Sequence, residues 1–192
     1  MGRGFKGAGL IIIAIIVVLA IMLGSSYNGF VTAEENVDQS YAQIENQLQR
    51  RLDLIPNLVN TVKGYAAHEK ETITAISDAR ARLAGAKSPQ EEATANADLS
   101  NALSRLLVVV ENYPNLKADA QFRQLMDELA GTENRIAVAR KDYNDEVAVY
   151  NKKVKRFPGA LVAAVTGFDK KEYFKADPRS QEAPNVDFGG NE

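Results

Sequence analysis

Fourteen consecutive apolar residues, Leu10 to Leu23 (LIIIAIIVVLAIML), precede a chain whose remainder places apolar positions at helical spacing among polar ones. With the uncharged GAG before it and GSSY after it, the charge-free stretch from Gly7 to Ala33 is long enough, at ~1.5 Å per residue, to cross the ~30 Å hydrocarbon layer as one helix. No second such run occurs. Arg3 and Lys6 ahead of the run, with Gly24 and Ser26 behind it, also fit a cleaved signal peptide. The length of the run and the lack of an Ala-x-Ala site favour a retained anchor.

Three amphipathic patterns follow. In the first, Val37, Tyr41, Ile44, Leu48, Leu52, Ile55, Leu58 or Val59, Val62, Ala66, Ile73, Ile76 and Leu83 recur mostly three or four apart, a stripe on one helix face. Pro56 falls inside it and removes the amide that would bond to the carbonyl of Leu52. Because the stripe keeps its phase across the proline, it predicts one kinked helix reaching Leu83; Asp53 capping a new helix is the alternative.

A second helix is announced by Ser88 as N-cap, Pro89 at its first position and Glu91 completing a capping box. Its apolar positions are Ala95, Leu99, Leu103, Leu106, Leu107 and Val110, and it must stop near Asn112 because Tyr113 precedes a proline. The third helix starts at about Asn115 to Asp119. Its seam of Phe122, Leu125, Leu129, Ile136, Tyr143, Val147, Tyr150 and Val154 predicts coiled-coil-like packing, with Thr132 and Ala139 filling the gaps. Lys152, Lys153, Lys155 and Arg156 suit the negative end of its dipole, and Phe157-Pro158-Gly159 closes it. Ala160 to Phe168 is expected to fold back on the bundle, the membrane interface being the alternative.

These patterns predict an all-α chain: a transmembrane anchor over 1–33, then an antiparallel bundle of three long helices over 34–168, or four if Pro56 breaks the first. An aperiodic tail over 169–192 is expected to be disordered. Lys+Arg 23 against Asp+Glu 25, interspersed along the chain, give no cationic excess for a nucleic-acid partner. Zero cysteines exclude disulfides and thiolate metal sites. Arg3 and Lys6 precede the span while the first charges after it are Glu34 and Glu35, so the soluble part is expected outside the cytoplasm.

Catalytic constellations are missing from the pattern. His68-Glu69-Lys70-Glu71-Thr72 begins like the zinc-protease signature but has Thr72 where the second histidine must stand. His68 is read as a solvated or capping residue on a helix face. No phosphate loop, nucleophile elbow or calcium loop occurs, and the scattered carboxylates read as a charged solvent face. No catalytic, cofactor or metal residue is expected. The repeated Tyr143-Asn144 and Tyr150-Asn151, echoed by Tyr27-Asn28, read as core tyrosines with their hydroxyls in water.

The string Gln47-Leu48-Gln49-Arg50-Arg51-Leu52-Asp53-Leu54-Ile55-Pro56-Asn57-Leu58-Val59, followed by Thr61-Val62-Lys63-Gly64-Tyr65 and His68-Glu69, resembles the signature of the LemA family of bacterial membrane proteins. Glu111-Asn112-Tyr113-Pro114-Asn115-Leu116-Lys117-Ala118, Phe122, Leu125, Thr132-Glu133-Asn134-Arg135-Ile136, and Arg140 with Tyr143-Asn144 extend it. The resemblance covers nearly the whole chain, from Tyr27-Asn28 to Gly167-Phe168. It implies a single N-terminal transmembrane helix carrying a soluble domain of antiparallel helices, with no established reaction or cofactor. Relatives are associated with envelope functions, and some are encoded beside membrane zinc proteases.

The expected function is a non-enzymatic, self-assembling helical scaffold of the bacterial envelope, single-pass in the inner membrane with a periplasmic domain. Its partners would be the lipid bilayer, further copies of itself and a membrane protein or protease. A regulatory adaptor for such a protease or sensor is the alternative. Arg50, Arg51, Asp53, Pro56 and Asn57 form the candidate motif, either helix-kink architecture or a contact surface.

Overall fold

The computed structural model describes residues 3–175, with side chains from Gly9 onward. The described residues form helices α1 (Arg3–Tyr65), α2 (Lys70–Gly85), α3 (Pro89–Val110), α4 (Pro114–Ala118), α5 (Ala120–Lys155) and α6 (Gly159–Thr166), with no strand among them. The fold is all-α. The apolar run lies in α1, which is long and apolar enough to cross a membrane; its most apolar window has a mean hydropathy of 2.8 and buries nothing against the protein.

By internal packing the chain divides into two compact units, Met1–Gln43 with Ala139–Glu172, and Ile44–Val138 with Tyr173–Glu192. In the second unit the helix passes straight through Pro56. It ends instead at Tyr65, so the expected helix to Leu83 is broken over residues 66–69. Gly64 weakens helix propagation there by about 1 kcal/mol relative to alanine. Backbone bonds from Ala66 N to Val62 O (2.8 Å) and from Glu69 N to Ala66 O (3.1 Å) then close a tight turn. After it, Arg80 Nε donates to Leu52 O at 3.0 Å. A contact ten residues into α2 and thirteen residues back along α1 means that the chain has reversed. The seven-residue step from Ala66 to Ile73 kept both on the core side, which is why the stripe's phase concealed the turn.

α2 and α3 pack along one another as a hairpin. Ser88 Oγ accepts from Glu91 N at 3.3 Å, as the capping pattern predicted, but Glu91 Oε2 reaches Lys87 N (2.8 Å) rather than the amide of Ser88. At the start of α5, Asp119 Oδ1 accepts from Phe122 N at 2.8 Å. The core of this unit includes the fully buried Ile44, Ile55, Leu58, Ile76, Leu99, Leu106, Leu116, Leu129 and Ile136. Each buried aliphatic side chain contributes about 1.5–3 kcal/mol. Among the apolar positions of the second pattern, Leu107 is an exception and is 47% exposed.

In the first unit Phe30, Ala33 and Val37 of α1 are buried, as are Tyr143, Val147 and Tyr150 of α5 and Val162 and Ala163 of α6. The pairs Asn36–Glu146 and Gly29–Lys153 set α1 and α5 antiparallel. Gly159 opens α6 where a Cβ would lie 2.4 Å from Lys153 O and 3.3 Å from Phe30 Cζ, so only glycine permits this approach. α6 closes at Gly167, whose φ of 79° is a left-handed cap. The expected fold-back of Ala160 to Phe168 is therefore present. Order continues past Phe168: residues 169–172 are tied down by side chains of α1 and α5. Residues 176–192 of the expected tail lie outside the described residues.

Candidate functional site

Both faces of the second unit's first helix are used by the five-residue motif. Arg51 turns inward and is 2% exposed, while Arg50, Asp53, Pro56 and Asn57 lie on the outer side. Arg51 Nη1 bonds to Asn96 Oδ1 (2.5 Å) and to the Glu133 carboxylate, and Nη2 donates to Ser100 Oγ at 3.0 Å. Asn96 Nδ2 also donates to Glu133 Oε2 at 3.2 Å. One guanidinium thus joins α1, α3 and α5. Burial pulls the Arg51 pKa down, opposed by the charge and hydrogen bond of Glu133, and the group stays cationic because its ordinary value is so high. Arg50 makes an exposed pair with Glu128 at 2.5 Å, of a kind worth about 0–1 kcal/mol. Asp53 accepts from Gln49 Nε2 at 2.8 Å, and Asn57 lends its carbonyl to Thr61 Oγ1 at 2.9 Å.

Pro56 gains its meaning from Arg80. The proline has no amide for the carbonyl of Leu52, and the Arg80 guanidinium on α2 supplies the missing donor. Arg80→Met is expected to cost about 1–3 kcal/mol, because a half-buried carbonyl then loses its donor. In a Pro56→Ala background, where the helix regains its own amide, that cost should fall below half. Urea unfolding of the two single variants and the double variant measures this coupling.

The other strings of the resemblance meet at the end of α1. Tyr65 OH donates to Asp119 Oδ2 at 3.0 Å, and Tyr113 OH donates to Glu69 Oε1 at 2.7 Å. Each carboxylate raises its tyrosine's pKa through that hydrogen bond. His68 is exposed in the turn itself, not on a helix face. The amide of Phe122, followed by the Tyr65 hydroxyl, holds Asp119 below the ordinary aspartate value of 3.8. A depressed carboxylate contributes stability that is present above its unfolded value and disappears as pH falls through 3.8 towards the folded value. The urea midpoint of the wild type should therefore exceed that of Asp119→Asn by a constant margin at neutral pH, and the margin should shrink below 3.8.

In the first unit the tyrosine–asparagine repeat is a clamp. Tyr143 OH donates to Glu172 O at 3.0 Å; Asn151 Nδ2 donates to Lys171 O at 2.9 Å, and Lys171 N returns a bond to Asn151 Oδ1 at 3.0 Å. The expectation of tyrosine hydroxyls in water is thus corrected. Tyr143 bonds to backbone, and Tyr150 is fully buried with its hydroxyl unpaired. Desolvation first, then the Glu34 charge, pushes the Tyr150 pKa up. Lys171 Nζ pairs with Glu34 Oε1 at 2.8 Å and lies 3.7 Å from Asp38 Oδ1. Burial alone would lower its pKa, but these carboxylates outweigh that and raise it. Sequence reasoning missed Asn96, Ser100 and Arg80, single polar positions within apolar periods, and Lys171, which lies beyond the last periodic residue.

Among the described residues no three His, Asp or Glu side chains converge in a way that would hold a metal ion. What the polar groups do is fasten helices to one another, and they do so largely at the positions that carry the family resemblance. The profile of the LemA family matches residues 40–188. The chain belongs to the LemA family. It is 32% identical over 206 aligned residues to the magnetosome protein MamQ 2 of Paramagnetospirillum magneticum, covering 93% of this chain and 75% of that protein. MamQ 1 of the same organism matches equally. The magnetosome protein MamQ of Magnetospirillum gryphiswaldense is 31% identical over 178 residues, 79% of this chain and 65% of the relative. In this LemA chain the Arg51 network, the Leu52–Arg80 bond and the Tyr113–Glu69 bond all fall inside the matched region.

Proposed function

We propose that this LemA protein is a membrane-anchored, non-enzymatic helical scaffold of the bacterial envelope, single-pass in the inner membrane with its bundle on the periplasmic side. The observation that carries the reading is α1 itself. Its apolar window is bare of protein contacts, and the same uninterrupted helix becomes a buried core helix from Phe30 onward. Arg51, Asn96, Glu133, Arg80, Tyr113 and Glu69 are engaged in bonds that tie helices and the turn after α1 together. Arg3 and Lys6 before the span, against Glu34 and Glu35 after it, support the orientation. The likeness to magnetosome proteins supports work at a membrane.

Self-assembly belongs to this proposal and runs through the span, whose large apolar side chains from Leu10 to Leu23 are exposed. The anchor confines copies to a plane and so raises their encounter rate. Crosslinking in native membranes, followed by co-purification in mild detergent and mass spectrometry, tests it. Self-crosslinks that disappear when residues 10–23 are exchanged for an unrelated span support the scaffold. A stoichiometric foreign membrane protein, with this chain monomeric, overturns it in favour of the regulatory adaptor.

A further inference from the structure

The second half of the first unit returns to the foot of the span. α6 lies beside the last turn of the apolar run, where Leu23, Gly24 and Tyr27 share an open groove of about 580 Å³ with Leu161, Val162 and Val165. Val162 is buried, but Leu161 and Val165 face outward, and Val165 is 85% exposed. Phe157, at the turn into α6, is 79% exposed. It borders a second groove, of about 540 Å³, with Ser25, Gly29, Lys152 and Arg156.

Distances along α1 set the height of these groups. Leu23 to Tyr27 is about 6 Å of helix, so the outward face of α6 stands within about one turn of the end of the apolar run. Lys153 Nζ bonds to Gly29 O at 2.6 Å, which puts the last turn of α5 about 9 Å beyond Leu23. Counted from Gly7, about 30 Å of helix ends near Tyr27, so this turn lies about 3 Å outside the hydrocarbon core, within a headgroup layer about 5–8 Å deep. Lys152, Lys155 and Arg156 on this turn are exposed. The first acidic residues of α1, Glu34 and Glu35, lie about 16 Å beyond Leu23, outside that layer. Asp169 directly follows Phe168, whose ring stacks on Phe30.

From this geometry we infer that Phe157, Leu161 and Val165 insert into the interface of the leaflet from which α1 emerges, while Lys152, Lys155 and Arg156 bind the phosphates of anionic lipid headgroups. The bilayer is the occupant because the face is continuous with the span: once α1 is inserted, that height falls at the boundary of headgroups and acyl chains. Apolar groups below cations match the order of acyl chain and phosphate in the interface. Each cation near an anionic surface adds on the order of fivefold in affinity. The inference rests on the membrane-anchored reading and adds a second, lipid-specific contact to it.

The chain has no cysteine, so single-site labelling is clean. Full-length Val17→Cys, Val165→Cys and Asp145→Cys variants, each carrying an environment-sensitive dye, are reconstituted in phosphatidylcholine vesicles with and without phosphatidylglycerol. Asp145 is next to Glu146, which bonds to Asn36 about 20 Å beyond Leu23. Quenching by nitroxide lipids is then read. The expected result is deep quenching at Val17, shallow quenching at Val165 several-fold above that at Asp145, and an increase at Val165 with phosphatidylglycerol. Lys152→Gln/Lys155→Gln/Arg156→Gln should abolish that increase, as should high salt. Quenching at Val17 with none at Val165 overturns this inference and leaves the anchor standing. A Val165 dye that is shielded from lipid only at high protein-to-lipid ratio also overturns it, assigning the face to a second copy. No quenching at Val17 removes the anchor, and this inference with it.

Discussion

Phe30→Ala is expected to lower the unfolding free energy by about 3–5 kcal/mol, the range for deleting a fully buried aromatic. Phe30 stacks on Phe168 with ring centroids 5.0 Å apart and meets Tyr150 edge-on at 6.1 Å, while its Cζ underlies Gly159. The loss should therefore be local as well as global. Amide exchange over residues 159–172 should quicken more than exchange over α3, because Phe168, which leads into the Lys171 clamp, rests on this ring. Equal acceleration in the two regions would mean that the ring does not hold α6 and the following segment in place. Thermal denaturation gives the overall cost, and a protein of this size loses about 2–4 °C per kcal/mol.

Glu133→Ala is expected to cost about 2–4 kcal/mol. Removing one partner of a buried ion pair leaves an uncompensated charge, at about 3–5 kcal/mol, and the exposed side of Glu133 admits some water to soften the loss. The two ends of the pair are not equivalent. Arg51 is inside, whereas the Glu133 side chain is 42% exposed. Arg51→Met keeps the aliphatic stem in the core. It also leaves a carboxylate that water can reach and that still accepts from Asn96. It should be the milder change, and urea midpoints with Arg51→Met at or below Glu133→Ala would contradict the buried-charge account.

Much of the helical content was legible because periodicity reports burial. Every expected seam residue of the third pattern from Phe122 to Leu129, and again Ile136, Tyr143, Val147 and Tyr150, is buried in α5. Ser88 capped its helix as its chemistry suggests. What stayed hidden is whatever periodicity cannot carry. Ala66 and Ile73 are seven apart, a spacing shared by a continuous helix and by a turn that returns the stripe to the same core. The helix runs on through Pro56, as the stripe's phase predicted; what the proline cost was one carbonyl, repaired from α2 by a residue with no visible link to it in sequence. Within the motif, a charge pattern could not separate Arg50 from Arg51. Neighbouring positions on a helix point about 100° apart, so one meets solvent and the other the core. Among the partners of Arg51, Asn96 and Glu133 lie 45 and 82 residues away, and single polar residues inside apolar stripes give no hint of which will meet.

The absence of a linker between the apolar run and Phe30 makes residue count an angular setting. Leu23 and Phe30 belong to one helix, in which each residue turns the axis by about 100°. The faces of the apolar run and the face of α1 that buries Phe30 are therefore phased like two keys on one shaft. Inserting a single residue between them would swing the bundle through about a quarter-turn relative to anything gripping the span, whereas seven residues would nearly restore its bearing. A neighbour that holds the span also aims the bundle.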